Sequence, residues 1–250
     1  MGSKPRMANW VEHVQAQGRY TFTREQVASE TGRSFVAVQS AMRRLIEQGR
    51  VASPRRGFFV VVPPEYRVTG APPASWFIDE LMRHFKQPYY VGLLTAAALH
   101  GAAHQQPLAF QVITSKPTRA IRVGSISIRF LMNGRLAQMP TIEKQTETGT
   151  MRVATPEACA YDLVRYPAAA GHLGNVLTVL SELVEQCDKD ALLRIAPLVR
   201  LPDVQRLGYL LDQLEEAELA TPLYAWLRQQ TVRPVLLVPH MPPRDSSPNR

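Results

Sequence analysis

Residues 23–62 leave the chain few ways to fold. Thr23 followed by Gln26 is a capping-box pair, able to satisfy two backbone N–H groups at the start of a short helix that carries Val27 and Ala28 inward. Gly32 supplies a turn. Ser34 then caps a longer helix in which Val38, Met42 and Leu45 recur at i, i+4 and i+7, a single buried stripe. Ala37, Ser40, Arg43, Arg44 and Glu47 flank or oppose that stripe, and together they form a small, polar and basic surface. Gly49 ends the helix, residues 51–53 suit a short strand, Pro54-Arg55-Arg56-Gly57 suits a turn, and residues 58–62 are a β-rich return strand. Two helices joined by a tight turn and followed by a basic hairpin are the layout of a winged helix-turn-helix.

Such a helix face suits the major groove of DNA. Small residues let the helix axis approach base edges, Gln39 matches adenine, and Arg43 or Arg44 matches guanine or phosphate. An ordinary solvated helix face is the competing reading, and the glycine-turned spacing with the arginine-tipped hairpin weighs against it. The expected DNA-contacting set is Arg33, Ser34, Ala37, Gln39, Ser40, Arg43 and Arg44 on or beside the second helix, with Arg55 and Arg56 at the wing tip. Charge supports this placement: residues 1–67 hold eleven Lys and Arg against five Asp and Glu, so most of the net charge of +8 sits in the first quarter of the chain. A basic excess concentrated on one small module is the footprint of phosphate contacts.

The remainder predicts an α+β protein with an N-terminal winged helix-turn-helix over residues 7–67, a larger α+β domain over 74–228 and a proline-rich, disordered tail over 229–250. Residues 8–17 read as a first helix through Trp10, Val11 and Val14, and Tyr20 and Phe22 as a short first strand. Prolines between 63 and 73 mark the boundary. Ser75 is placed as the cap of a helix to Phe85, and residues 89–101 as one nearly continuous apolar helix. Strand-like runs follow at 110–114, 121–123, 125–130, 141–146 and 150–154, the third alternating Ile126, Ile128 and Phe130 with Ser127 and Arg129. Thr155-Pro156-Glu157 is a helix start, and everything beyond it is helical, divided by Pro197, Pro202 and Pro222.

Catalysis is not signalled, since no phosphate-cradling glycine loop, nucleophile elbow or Cys-x-x-Cys pair is present, and no cofactor is expected. His100 and His104 stand four apart, but Gly101 lies between them and helix-terminal histidines are the plainer reading, so no metal is assigned. Cys159 and Cys187 sit in apolar helical patterns as core thiols, which favours a reducing cytoplasm. No apolar run has the length of a membrane span. Lys116, Arg119, Arg122, Arg129 and Arg135 form a second basic group around the strands, either a solvated sheet face or a surface for nucleic acid or a partner protein. Asp162 and Arg206, both within apolar helices, suggest a mutual ion pair.

Four segments in order carry a family resemblance. They are the winged module, Leu94-Thr95-Ala96-Ala97-Ala98-Leu99-His100-Gly101, the helix start from Arg152 through Thr155-Pro156-Glu157 to Asp162-Leu163, and Arg206-Leu207-Gly208-Tyr209-Leu210-Leu211. The chain resembles AbiEi-family antitoxins of type IV toxin-antitoxin systems over about residues 8–215. The resemblance implies a non-enzymatic, cytoplasmic phage-defence protein. Its N-terminal winged helix would repress its own operon by binding inverted repeats in double-stranded DNA, and its C-terminal domain would antagonise a co-encoded nucleotidyltransferase toxin. Two other readings stay open: a plain transcriptional regulator with a ligand-sensing or dimerising C-terminal domain, and a phosphotransferase that modifies the toxin.

Overall fold

The computed structural model describes residues 7–102 and 107–237. The fold is α+β, with N-terminal helices on a three-stranded sheet, a larger six-stranded mixed sheet and a helical C-terminal end. Two compact units divide the chain. One takes residues up to Val91 with Leu108–Leu136 and Ile142–Val153; the other takes Gly92–Pro107, Ala137–Thr141 and everything from Ala154.

The first unit opens with α1 (Met7–Ala16), β1 (Thr21–Thr23), α2 (Arg24–Thr31), α3 (Phe35–Glu47), β2 (Val51–Arg55) and β3 (Phe58–Val61). Thr23 and Gln26 make the expected reciprocal capping box, Gly32 follows in the left-handed region at φ 61°, and the Ser34 side chain accepts from the Ala37 N–H. The α3 stripe of Val38, Ala41, Met42 and Leu45 packs on Trp10, Val14, Phe22, Val27 and Phe59. Trp10 meets Phe22 edge to face at 4.9 Å, a geometry worth about 0.5–1.5 kcal/mol beyond area burial. The hairpin sheet runs β1-β3-β2, and β2 reaches Arg55, past the three residues expected, through an irregularity between Ala52 and Arg55 that lets Pro54 sit in an edge strand.

Next come α4 (Ile78–Phe85), β4 (Tyr89–Val91), α5 (Leu93–Leu99), β5 (Phe110–Thr114), β6 (Ile121–Val123), β7 (Ile126–Met132), β8 (Thr141–Thr146) and β9 (Gly149–Ala154). Two expectations need correction. The Ser75 side chain does not start α4: a 3-10 turn over Ala74–Trp76 leads into it and Phe77 occupies the cap position. Residues 89–101 are not one helix either, because Tyr89–Val91 is an interior strand and the helix begins after the extended Gly92. Apolarity alone cannot separate a fully buried strand from a buried helix. The sheet order is β6-β7-β5-β4-β9-β8, with β4 antiparallel to β5 and parallel to β9.

This sheet packs on the winged part of the same unit. Edge strands β2 and β6 lie side by side without joining into one sheet. Ala52, Val62 and Ala71 cluster there with Val123 and Ile126. Tyr20 and Tyr66 each meet Trp76 edge to face, at 5.1 and 5.3 Å, and Phe58 lies 5.4 Å from His84. The connecting segment is pinned where the Ser125 N–H donates to the Thr69 carbonyl at 2.7 Å.

The second unit is helical: α5, then α6 (Pro156–Arg165), α7 (His172–Leu183), α8 (Lys189–Ile195), α9 (Leu201–Gln213) and α10 (Ala217–Leu227). Thr155 caps α6 with Pro156 in its first turn, as its sequence demands. Pro222, expected to separate helices, lies inside α10, whose packing on α9 and α8 outweighs the lost backbone bond. Close approach of α10 to α9 depends on Gly208, where a Cβ would meet the Tyr224 ring at 3.3 Å. Arg206 pairs with Asp203, not Asp162, and donates through Nε to the Leu236 carbonyl at 3.0 Å. Of the stretch expected to be disordered, residues 229–237 are described without helix or strand, and 238–250 lie outside the described residues.

Candidate nucleic-acid interface

Helix α3 presents its solvent side because its buried stripe is held by α1, α2 and β3. At about 100° per residue, Val36, Ser40, Arg43 and Glu47 cluster at the centre of the exposed face, Gln39 and Ile46 turn toward the wing, and Ala37 and Arg44 fall on the other flank. Gln39, Ser40, Arg43 and Arg44 are exposed, Ala37 and Arg33 half-buried, and Ser34 is exposed at the cap. The expected set therefore spreads around more than one side of the helix. Two residues outside that set belong to the same surface. Val36 is 75% exposed in the first turn, where a recognition helix touches base edges. Arg24 stacks its guanidinium 4.8 Å from the Phe35 ring. Val36 was detectable in principle as an apolar residue off the buried stripe.

Between α3 and the wing lies a groove of about 430 Å³ whose walls include Arg24, Gln39, Arg43, Ile46 and Arg56 over a floor of Met42 and Phe59. Arg43 is held at 2.9 Å by Glu47, one turn on, with both side chains well exposed. An exposed i,i+4 pair is worth only about 0.3–0.5 kcal/mol, so a phosphate or a guanine edge can displace Glu47 from Arg43. The two wing arginines diverge. Arg56 lines the groove on the α3 side, whereas Arg55 places its guanidinium 5.6 Å from the Phe85 ring on the other side of the hairpin. Consecutive residues at a strand end point to opposite faces, which is why one tip serves two surfaces.

The second basic group is not one patch. Arg122 pairs in register with Ser127 and Arg129 with Gln111, so Arg122 and Arg129 share one sheet face, opposite that of Ile121, Ile128 and Phe130. Lys116 and Arg119 sit in the loop between β5 and β6, and Arg135 follows β7. All five are exposed, and no ion pair among the described residues includes Lys116, Arg119, Arg122 or Arg129.

The histidine and cysteine candidates are absorbed by structure. A ring nitrogen of His100 contacts the Ala154 carbonyl at 2.8 Å, so Nε2 carries the proton there; His104 lies outside the described residues. The Cys159 thiol donates to the Leu93 carbonyl at 3.3 Å. Burial pushes Cys159 well above its ordinary value, with further pushes from Asp162 and Cys187, and burial takes Cys187 up to about 12. Because the thiolate is the reactive form, a thiol-exchange reagent at neutral pH should modify both cysteines slowly in the native protein and rapidly after unfolding; equal rates in the two states would contradict this placement.

No helix among the described residues is long and apolar enough to cross a membrane. None of the curated proteins matches the chain. The fold is similar to the crystal structure of RV2827C protein from Mycobacterium tuberculosis, with a TM-score of 0.66 at 19% identity over 93% of this chain and 84% of that one. Residues 90–213, from the interior strand β4 through α9, match the model of the AbiEi antitoxin C-terminal domain. Three of the four ordered segments, those of α5, α6 and α9, lie inside this match, and the chain belongs to the AbiEi antitoxin family.

Proposed function

We propose that the protein is a non-enzymatic antitoxin that binds double-stranded DNA through α3 and the wing, represses its own operon at inverted repeats, and neutralises a co-encoded nucleotidyltransferase toxin. Membership of an antitoxin family implies a toxin partner, and we place its contact in residues 74–228, which contain the matched residues 90–213, with Arg122 and Arg129 as the exposed charges of the sheet face there. Residues 7–67 are the DNA-reading module. The observation that carries the DNA reading is the groove in which Gln39 and Arg43 of α3 face Arg56 of the wing, with Arg24 alongside. A base-reading amide, a guanidinium on the helix and a guanidinium on the hairpin thus address one strip of ligand. The exposed Val36 adds an apolar contact suited to a thymine methyl group.

The test is binding of the full chain to duplexes from its own promoter region and to random duplex DNA, as the salt concentration is varied. Gln39→Ala and Arg43→Ala should each weaken promoter binding by roughly 1–3 kcal/mol while sparing random DNA, because base contacts specify and phosphate contacts position. Arg56→Ala should weaken both alike and lower the salt slope by about one unit. Wild-type affinity for the promoter after all three substitutions would refute the interface.

A further inference from the structure

We infer that the DNA-contacting surface continues past the wing onto the β5–β6 loop, where Arg55 and Arg119, with Thr118 and Gln87, form a cradle for a backbone phosphate of duplex DNA. This rests on the DNA-binding reading above and extends it to residues outside the winged module.

Arg55, Phe85, Gln87, Pro117, Thr118 and Arg119 line one concavity of about 360 Å³ on the far side of the wing from α3. It holds two guanidinium groups and no carboxylate. Neither Arg55 nor Arg119 takes part in an ion pair among the described residues, so the concavity is lined by two cations that no described carboxylate neutralises. An anion entering it would meet positive charge from both residues. The Phe85 ring fixes the direction of Arg55, which limits the side-chain entropy lost on binding. The Thr118 hydroxyl lies 3.4 Å from Gln87 Oε1, which orients that oxygen toward Thr118 and leaves the Gln87 amide NH₂ as a further donor. Lys116 lies two residues before Thr118 in the same exposed loop.

The loop is positioned by packing. It leads into β6, and β6 lies beside wing strand β2, with Ala52 and Val62 clustered on Val123 and Ile126. The cradle is therefore built on the wing's own support, within one compact unit. The B-form minor groove is only about 6 Å wide, so a hairpin tip entering it has a phosphate backbone on each side. Arg56 on the α3 side and the Arg55–Arg119 pair on the other match those two backbones in position and charge.

The experiment uses the full chain and a fluorescently labelled random-sequence duplex of about thirty base pairs, since phosphate contacts do not depend on sequence. Affinity is measured by anisotropy across a salt series for the wild type, Arg119→Ala, the double variant Arg55→Ala/Arg119→Ala, Arg119→Lys and Arg56→Ala. The expected result is a salt slope lower by about one unit for Arg119→Ala and about two for the double variant, with the wild-type slope kept by Arg119→Lys. Circular dichroism melts are expected to coincide, because the side chains are exposed. Wild-type affinity and slope in the double variant, alongside weakened binding by Arg56→Ala, would overturn the cradle while leaving the DNA reading intact. Failure of the wild-type chain to bind any duplex would remove both.

Discussion

Gly124→Ala should destabilise the protein by roughly 3 kcal/mol or more, although the change adds a single methyl group in an exposed turn. Gly124 stands in the turn from β6 to β7 at φ 54°, and a Cβ there would lie 2.0 Å from the Thr69 carbonyl oxygen and 2.9 Å from the Gly70 Cα. Those are backbone atoms, held in place because the Thr69 hydroxyl donates to the Tyr66 and Ala71 carbonyls and the Thr69 carbonyl accepts from Ser125 N–H. No rotamer change relieves such a clash, so either the β6–β7 turn or the segment that joins the winged part to the larger sheet has to move. Gly134→Ala is the matched control, because a Cβ there meets nothing within 4 Å. Urea unfolding should separate the two variants clearly, with Gly134→Ala near wild type. Coincident unfolding midpoints would show that the close approach carries no energy.

Asp203→Ala is expected to cost about 3–5 kcal/mol, the range for removing one partner of a buried ion pair. The Asp203 side chain is fully buried and accepts two hydrogen bonds from Arg200, Nε and Nη2 each at 2.8 Å, while Arg206 approaches at 3.4 Å with a side chain only 10% exposed. Arg200 is more than half exposed and can turn to water when the carboxylate is lost. Arg206 cannot, and most of the penalty is the charge left behind on it. The double variant Asp203→Ala/Arg206→Met should therefore recover a large part of the loss, because it removes that stranded charge along with the carboxylate. Thermal or chemical unfolding of the single and double variants measures this directly. A double variant that is less stable than Asp203→Ala would show that Arg206 contributes mainly through its bond to the Leu236 carbonyl.

What could be read from residues alone was local and repetitive. The capping box at Thr23, the turn at Gly32, the Ser34 cap and the Val38-Met42-Leu45 stripe each rest on neighbours within one or two helical turns, and all are present in the structure. The same holds for Thr155-Pro156 and for the five strand-like runs after Phe110, of which the third alternates. Features set by distant chain segments were not legible. Tyr89–Val91 lacks alternation because both its faces are buried, so it merged with the helix that follows. Arg206 was matched to Asp162 by residue type, when its partner lay one turn away at Asp203. The five arginines and lysines of the second basic group looked equivalent, and only the register separates Arg122 and Arg129 from Lys116 and Arg119. That the side chain of Arg55 rests on Phe85, thirty residues farther on, was likewise set by a distant segment.

Strand β4 has a consequence for synthesis. Its inner neighbour β5 follows within about twenty residues, but its other edge is covered only by β9, with Val91 in register with Val153. A ribosome adding about 5–20 residues per second takes several seconds to make that intervening chain. Throughout that interval Tyr89, Tyr90 and Val91, all buried in the finished protein, form an open apolar strand edge of the kind that templates intermolecular pairing. Premature termination anywhere between residues 137 and 148 leaves that edge permanently bare, so truncated chains that still contain the whole winged module should accumulate as aggregates.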